Sequence, residues 1–176
     1  MRQIQFYGAV SLDGYLATPT DDIRWLTDLP NLPEVDSTVL GQMTAGIMGR
    51  VTYDAIQQLA PGEPLNPANP TMQSYVLTHQ PRANQPGVTF TSENVVTLAQ
   101  RLQREATGNV WVVGGSQVLM PLLAADLIDD LYLQVAPVLL GAGKRLFGPL
   151  VHPQQFSLTT VHQYGPLAEL IYHRTN

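Results

Sequence analysis

Short apolar runs alternate with helical patterns along most of the chain. Apolar runs of about four to eight residues between turn residues are typical of buried strands, whereas apolar residues that recur every three or four positions indicate helices. The strands predicted in this way are residues 3–10, 45–48, 74–78, 88–91, 110–113 and 130–135. The predicted helices are a short piece near 22–29, then 33 to about 44, 52–59, 95 to about 105, and 116–125.

The last part of the chain has a different pattern. Residues 156–162 and 168–173 alternate apolar and polar positions on either side of Gly165-Pro166, which predicts an antiparallel hairpin. Strands that alternate with helices favour a parallel sheet with helices on both faces. We therefore predict an α/β fold, a three-layer αβα sandwich whose central sheet is mostly parallel and carries a C-terminal antiparallel hairpin. The 176 residues suffice for one such domain, residues 1–176.

Composition and charge exclude several classes of function. The net charge is −5 and the chain has one lysine, Lys144, so no basic stripe is present to bind a nucleic-acid backbone. The absence of cysteine excludes disulfides, thiol nucleophiles and cysteine-bound metals. No histidine pair has helical metal-ligand spacing, so we predict no metal site. We see no signal peptide and no apolar run long enough to span a membrane, and we expect a cytoplasmic protein.

A glycine pair, Gly114-Gly115, follows the most apolar strand and directly precedes a helical pattern that opens with Ser116-Gln117-Val118. Such a junction presents free backbone N–H groups and the positive end of a helix dipole, which is a suitable place for a phosphate. The pair is not a G-x-G-x-x-G fingerprint, and no acid ends the following strand, so a Rossmann assignment is weak. A glycine pair that only permits a tight turn is an equally good explanation of this motif alone.

A second candidate phosphate site is Gly49-Arg50-Val51-Thr52, which also lies between a strand and a helix. Gly49 permits close approach, Thr52 offers a hydroxyl and an N–H, and Arg50 offers a bidentate contact. Thr78 and His79 end a neighbouring strand and can add donors beside Arg50. A surface arginine at a helix start, and polar residues at a strand end, are the ordinary alternatives. Two such sites in one small chain indicate a dinucleotide held at both ends.

Three acids are candidate catalytic residues. Asp13 lies in an Asp-Gly turn after the first strand, and Glu34 and Asp36 lie in the first turn of a predicted helix. On local grounds alone, turn formation and compensation of the helix dipole are the better explanations. A carboxyl group in an apolar pocket has a raised pKa, however, and then delivers a proton near neutral pH.

The order of these motifs resembles the dihydrofolate reductase superfamily, and within it the proteins similar to the C-terminal reductase domain of the bifunctional riboflavin-biosynthesis deaminase–reductase. The likeness covers nearly the whole chain, and the matching segments are residues 9–17, 47–53, 76–78, 112–116 and 127–141. The resemblance implies a mostly parallel sheet flanked by helices, with a C-terminal β-hairpin. It also implies a cis peptide bond between Gly114 and Gly115, and a homodimer.

The resemblance further implies NADPH as the cofactor, bound across the edge of the sheet. Ala9 would approach the nicotinamide, and Arg50 beside a 2′-phosphate would explain a preference for NADPH over NADH. The adenosine phosphate and diphosphate side would be held by Gly49, Arg50, Thr52 and Thr78, with His79 beside them. The diphosphate would also be held by Gly114, Gly115, Ser116, Gln117 and Val118.

Our primary hypothesis is a reductase that transfers hydride from NADPH to a small C=N or C=O substrate. By resemblance it is related to 5-amino-6-(5-phosphoribosylamino)uracil reductase or to dihydrofolate reductase, with Asp13 nearest the substrate and Asp36 or Glu34 second. Residues 60–75 hold no arginine for a folate tail, and no Arg or Lys lies between Arg24 and Arg50 for a ribose phosphate. The substrate therefore stays open. The alternative is a non-catalytic nucleotide-binding module that retains the cofactor cleft.

Overall fold

The computed structural model describes residues 2–32 and 37–175 and contains ten strands and five helices within these ranges. The strands are β1 Ile4–Ser11, β2 Tyr15–Ala17, β3 Met43–Gly49, β4 Gln73–Leu77, β5 Val88–Thr91, β6 Asn109–Gly114, β7 Asp130–Ala136, β8 Lys144–Arg145, β9 Phe156–Tyr164 and β10 Leu167–Arg174. The helices are α1 Arg24–Thr27, α2 Ser37–Leu40, α3 Arg50–Leu59, α4 Val95–Glu105 and α5 Ser116–Ala124.

Eight of these strands form one sheet in the order β5-β4-β3-β6-β1-β7-β10-β9. The pairs from β5 to β7 are all parallel, and only β7–β10 and β10–β9 are antiparallel. The predicted mostly parallel sheet with a C-terminal hairpin is therefore confirmed. Because the carboxyl ends of the parallel strands lie at one edge, the loops that follow β1, β3, β4 and β6 meet there.

Helices cover both faces of the sheet, since successive residues of a strand point to opposite sides. On one face, Val110 and Val112 of β6 pack in a core with Leu98 of α4 and Leu119 of α5. On the other face, Leu40 of α2 and Met72 of the loop before β4 pack against Trp111 of β6. On the same face, Tyr53 of α3 packs against Met48 of β3 and Val76 of β4. The three layers of the predicted sandwich follow from this arrangement.

One predicted helix is shorter than expected. Residues 33–44 were expected to be helical, but α2 spans only Ser37–Leu40, and β3 already begins at Met43. Gly41 separates the two elements. Met43 and Ala45 are almost fully buried between neighbouring strands, so sheet pairing outweighs the helical spacing of the sequence. Residues 33–36 lie outside the described residues.

A separate two-stranded ribbon, β2 with β8, was not predicted. Its strands contain three and two residues, which is too short for a periodic pattern to be visible. None of the described helices is long and apolar enough to cross a lipid bilayer.

Candidate functional site

A cavity of about 930 Å³ lies where β3, β4 and β6 end and where α3 and α5 begin. Its wall includes residues from both glycine motifs and from the strand end at Leu77-Thr78-His79. The β2–β8 ribbon contributes Leu16, Ala17 and Lys144. The motifs that the sequence places far apart therefore share one cavity, at the sheet edge where α/β proteins commonly bind ligands.

Two helices present uncapped N-termini to this cavity. The N-cap residues are Gly49 for α3 and Gly115 for α5, and neither end has a side-chain capping bond. By contrast, the Asn94 side chain caps α4 by accepting hydrogen bonds from two backbone N–H groups. A Cβ atom built on Gly115 would lie 3.8 Å from the Thr52 hydroxyl, so the two uncapped ends are adjacent. Their free N–H groups and dipoles favour anions.

The peptide bond between Gly114 and Gly115 is cis, which confirms the expectation drawn from the resemblance. Gly114 has a φ of +126°, a conformation that residues with a side chain rarely adopt. Glycine is therefore required at position 114 by the backbone itself.

All predicted cofactor residues except Ala9 line the cavity. Ala9 lies on β1 opposite Gln134 of β7 and does not contribute to the wall. That the predicted residues bind a cofactor remains a prediction. Those that line the cavity are Gly49, Arg50, Thr52, Thr78, His79, Gly114, Gly115, Ser116, Gln117 and Val118.

Arg50 shares a carboxylate with a second arginine that the sequence analysis missed. Its Nη1 donates to Asp54 Oδ2 at 2.8 Å, and Arg82 donates to both Asp54 oxygens at 2.7 and 3.2 Å. The hydrogen bonds from Arg82 and Arg50 lower the pKa of Asp54, so this carboxyl is ionised at neutral pH. Two guanidinium groups around one carboxylate leave an excess positive charge beside the cavity.

Asp13 does not match the expected proton donor. Its carboxylate accepts hydrogen bonds from the Ser11 hydroxyl at 2.6 Å and from the backbone N–H groups of Leu140 at 3.1 Å and Gly141 at 2.7 Å. The Ser11 hydrogen bond is the main reason that the pKa falls to about 2. The raised pKa expected for Asp13 is therefore wrong, because these donors stabilise the ionised form. Asp13 also lies outside the cavity wall.

The other two acids, Glu34 and Asp36, fall outside the described residues. Two described carboxylates do line the cavity, Asp21 and Glu93, and Glu93 is paired with Arg101 at 2.9 Å. Within residues 2–32 and 37–175, no three His, Asp or Glu side chains lie close enough together to hold a metal ion.

Lys144 of β8 is a cationic residue of the cavity wall to which the sequence analysis gave no role. It lines the cavity, and its ammonium group forms no hydrogen bond or ion pair with any described residue. The only feature of the sequence that could have indicated its place at the cavity is its position, three residues after the segment 127–141 that carries the resemblance.

Comparison with known proteins assigns the family. The model of the RibD C-terminal domain matches residues 2–168. The chain belongs to the RibD C-terminal domain family. The chain is also similar to Uncharacterized protein YwjB of Bacillus subtilis (strain 168). The two are 31% identical over 98% of this chain and 98% of YwjB.

Solved structures agree with a fold of the RibD C-terminal domain type. A protein from Shewanella sp. PV-4 ascribed to riboflavin biosynthesis superposes with a TM-score of 0.83 at 27% identity, over the full length of both chains. The Thermotoga maritima diaminohydroxyphosphoribosylaminopyrimidine deaminase/5-amino-6-(5-phosphoribosylamino)uracil reductase gives a TM-score of 0.70 at 18% identity. That match covers 99% of this chain and 57% of the longer protein, and at this identity it supports the fold alone.

Proposed function

We propose that this protein is an NADPH-dependent reductase that transfers hydride to a small C=N or C=O substrate. The observation that carries the proposal is the pair of adjacent uncapped helix N-termini in one cavity, with the Arg50 guanidinium at its wall. Membership of the RibD C-terminal domain family supports a reductase of this type. By that likeness, 5-amino-6-(5-phosphoribosylamino)uracil and dihydrofolate are the two reference substrate types.

The cavity fits a dinucleotide in size and in the chemistry of its wall. Its volume is near the upper end of the roughly 300–1,000 Å³ that small-molecule sites occupy. Gly115, Ser116 and Gln117 would hold the diphosphate at the start of α5. Arg50 and Thr52, together with Thr78 and His79, would hold the phosphorylated adenosine.

NADPH supplies the hydride when it is bound, and the protein would align the reactants and exclude water. We place the nicotinamide towards the end of β1, near Ala9, as the resemblance implies. Asp13 is assigned a positioning role here, since its pKa of about 2 does not suit proton donation.

A binding experiment tests the cofactor assignment. We would measure thermal unfolding with NADPH and NADH for the wild type, for Arg50→Ala and for the distant control Arg104→Ala. A ligand at about 100 times its dissociation constant adds roughly 2.7 kcal/mol of stability. We expect NADPH to stabilise the wild type and the control more than NADH does, and Arg50→Ala to lose this preference. No shift with either nucleotide would reject the proposal.

The second candidate function is a nucleotide-binding module without catalysis. This function is favoured because two acids already have partners within the protein and are not free to transfer a proton. Asp13 accepts hydrogen bonds from three donors, and Glu93 is paired with Arg101. Oxidation of bound NADPH, followed by absorbance with a panel of pterins, aldehydes and pyrimidine ribosides, separates the two. Turnover with any substrate rules out the module, whereas tight NADPH binding without turnover across the panel favours it.

We also propose that the protein forms a homodimer through β9. This strand lies at an edge of the sheet, spans nine residues and contains no charged residue or proline. Leu158 and Val161 on it are 53% and 58% exposed. Long uncharged edge strands readily pair with another strand. Sedimentation of the wild type should give a dimer and Val161→Lys a monomer, and a monomeric wild type would reject this interface.

A further inference from the structure

The two strands of the β2–β8 ribbon are held firmly together. Leu146 N–H donates to the Gly14 carbonyl at 3.0 Å, and the Arg145 guanidinium lies 4.8 Å from the centre of the Tyr15 ring. A Cβ atom at Gly143 would overlap the carbonyl oxygen of Ala17, so the two strands of the ribbon approach more closely than a side chain at position 143 permits. The internal geometry of the ribbon is therefore well defined.

Asp13 holds the segment that leads into β8. Its two carboxylate oxygens accept the N–H groups of Leu140 and Gly141, a few residues before Lys144. The Ser11 hydroxyl donates to the same carboxylate and also accepts the Tyr15 N–H at 2.9 Å, next to the start of the other strand. One acid thus connects both strands of the ribbon to the end of β1.

The ribbon brings Lys144 to the same cavity as the N-terminus of α5. Leu16 Cδ1, one residue from the partner of Lys144 in β2, lies 3.9 Å from a Cβ atom built on Gly115. Lys144 has no ion-pair partner among the described residues, and the α5 N-terminus has no cap. Of the described carboxylates at the cavity, Glu93 is paired with Arg101, and Asp21 forms no ion pair with Lys144.

A flexible ammonium group and a helix N-terminus are both positive, and in this cavity neither is neutralised by a described side chain. An anion bound at the start of α5 would gain charge-assisted hydrogen bonds from the ammonium group in addition to the backbone N–H groups. Arg50 at the start of α3 and Arg82 in the loop before β5 both bind Asp54, and in the proposed complex they serve the phosphorylated adenosine.

We propose that Lys144 binds the diphosphate of the dinucleotide from the side of the ribbon, and that Asp13 is a positioning residue that acts through Lys144. The inference rests on the proposed function, since it assumes a dinucleotide in this cavity. It assigns a role to the one lysine of the chain and explains why an ionised Asp13 lies beside the site without lining it.

Calorimetric titration of the full-length protein with two ligands tests the role of Lys144. NADPH carries the diphosphate, whereas 2′,5′-ADP carries the phosphorylated adenosine without it. For Lys144→Met we expect NADPH affinity to fall about tenfold, as for loss of a charge-assisted hydrogen bond, and 2′,5′-ADP affinity to change less than about twofold. Lys144→Arg should keep most of the NADPH affinity, and Arg104→Met, an exposed charge on α4, should change neither.

A double-mutant cycle tests the role of Asp13. Asp13→Asn alone should weaken NADPH binding, and Asp13→Asn combined with Lys144→Met should be no weaker than Lys144→Met alone, within about twofold. Additive losses would show that Asp13 acts without Lys144. If Asp13→Asn does not fold, Gly143→Ala replaces it in the cycle, because it displaces the same ribbon.

The outcomes separate this inference from the proposed function. If the wild type binds neither NADPH nor 2′,5′-ADP, the proposed function fails and this inference fails with it. If the wild type binds NADPH and Lys144→Met binds it equally well, or loses both ligands equally, the role of Lys144 is overturned while the cofactor assignment stands.

Discussion

Replacing Asp54 by asparagine tests the electrostatics of the cavity directly. Asp54 receives three hydrogen bonds from Arg50 and Arg82, and its side chain is 29% exposed. The carboxylate neutralises one of the two guanidinium charges. In the proposed complex the 2′-phosphate would approach Arg50 and would therefore be repelled by Asp54. Asparagine has nearly the same shape, removes the charge and replaces one acceptor oxygen by an NH2 donor. Its remaining oxygen can still accept the Arg50 N–H, so Arg50 should stay in place while its field is strengthened.

The expected gain follows from Coulomb's law. A phosphate monoester carries a charge of about −1.5 to −2 at neutral pH. At a separation of about 7 Å across Arg50, and with the dielectric constant of water because the groups are about a third exposed, each unit of charge contributes about 0.6 kcal/mol. The total is about 1 kcal/mol, which corresponds to a roughly fivefold tighter complex with NADPH.

NADH lacks the 2′-phosphate, so its affinity should stay nearly unchanged in Asp54→Asn. The unfolding free energy should fall by up to about 1 kcal/mol, because two partly exposed ion pairs are lost. A variant that is less stable yet binds NADPH more tightly is not explained by general damage to the fold. The assay is calorimetric titration with both nucleotides at low and high salt, with Glu63→Gln, an exposed acid outside the cavity wall, as the control. Weaker NADPH binding, or an equal gain for NADH, would refute the reasoning.

Two further predictions concern the ribbon. The pKa of Asp13 is lowered from 3.8 to about 2, so its contribution is fully present above pH 3.8 and is lost as the pH falls towards 2. NADPH affinity should consequently show no step from Asp13 between about pH 5 and 8, and a step there that Asp13→Asn abolishes would contradict this. Gly143→Ala should lower the unfolding free energy by about 1–3 kcal/mol in urea because its Cβ meets the Ala17 carbonyl. Gly148→Ala, where nothing lies within 4 Å, should stay within about 0.5 kcal/mol, and equal losses in both variants would exclude the steric cause.

The sheet was predictable because its strands carry their own signal. β6 is almost continuously buried, and its apolar run from Val110 to Val113 marks it within a residue of its observed bounds. Both glycine motifs were also found, since a strand, a glycine and a helix start are adjacent in sequence. The resemblance then supplied the cis peptide bond at Gly114-Gly115, which no periodicity indicates.

What could not be predicted depends on contacts between distant residues. Arg82 meets Asp54 across 28 positions, and the donors that lower the pKa of Asp13 include Gly141, 128 positions away. An Asp-Gly turn looks the same in sequence whether its carboxyl faces an apolar pocket or two backbone N–H groups. The direction of the pKa shift was therefore wrong for a reason that only the fold reveals.

Asp13 and Asp54 are both ionised acids that organise cations near the cavity, yet their substitutions should act in opposite directions. Asp54 binds the guanidinium of Arg50 itself, so it competes with a phosphate for that cation, and its loss should tighten NADPH binding. Asp13 binds backbone N–H groups, and the cation it positions, Lys144, is a separate residue, so its loss should weaken binding. If net charge alone governed affinity, removing either acid would tighten binding. Opposite signs for two substitutions of identical charge would therefore show that local geometry, rather than net charge, determines how this cavity holds an anion.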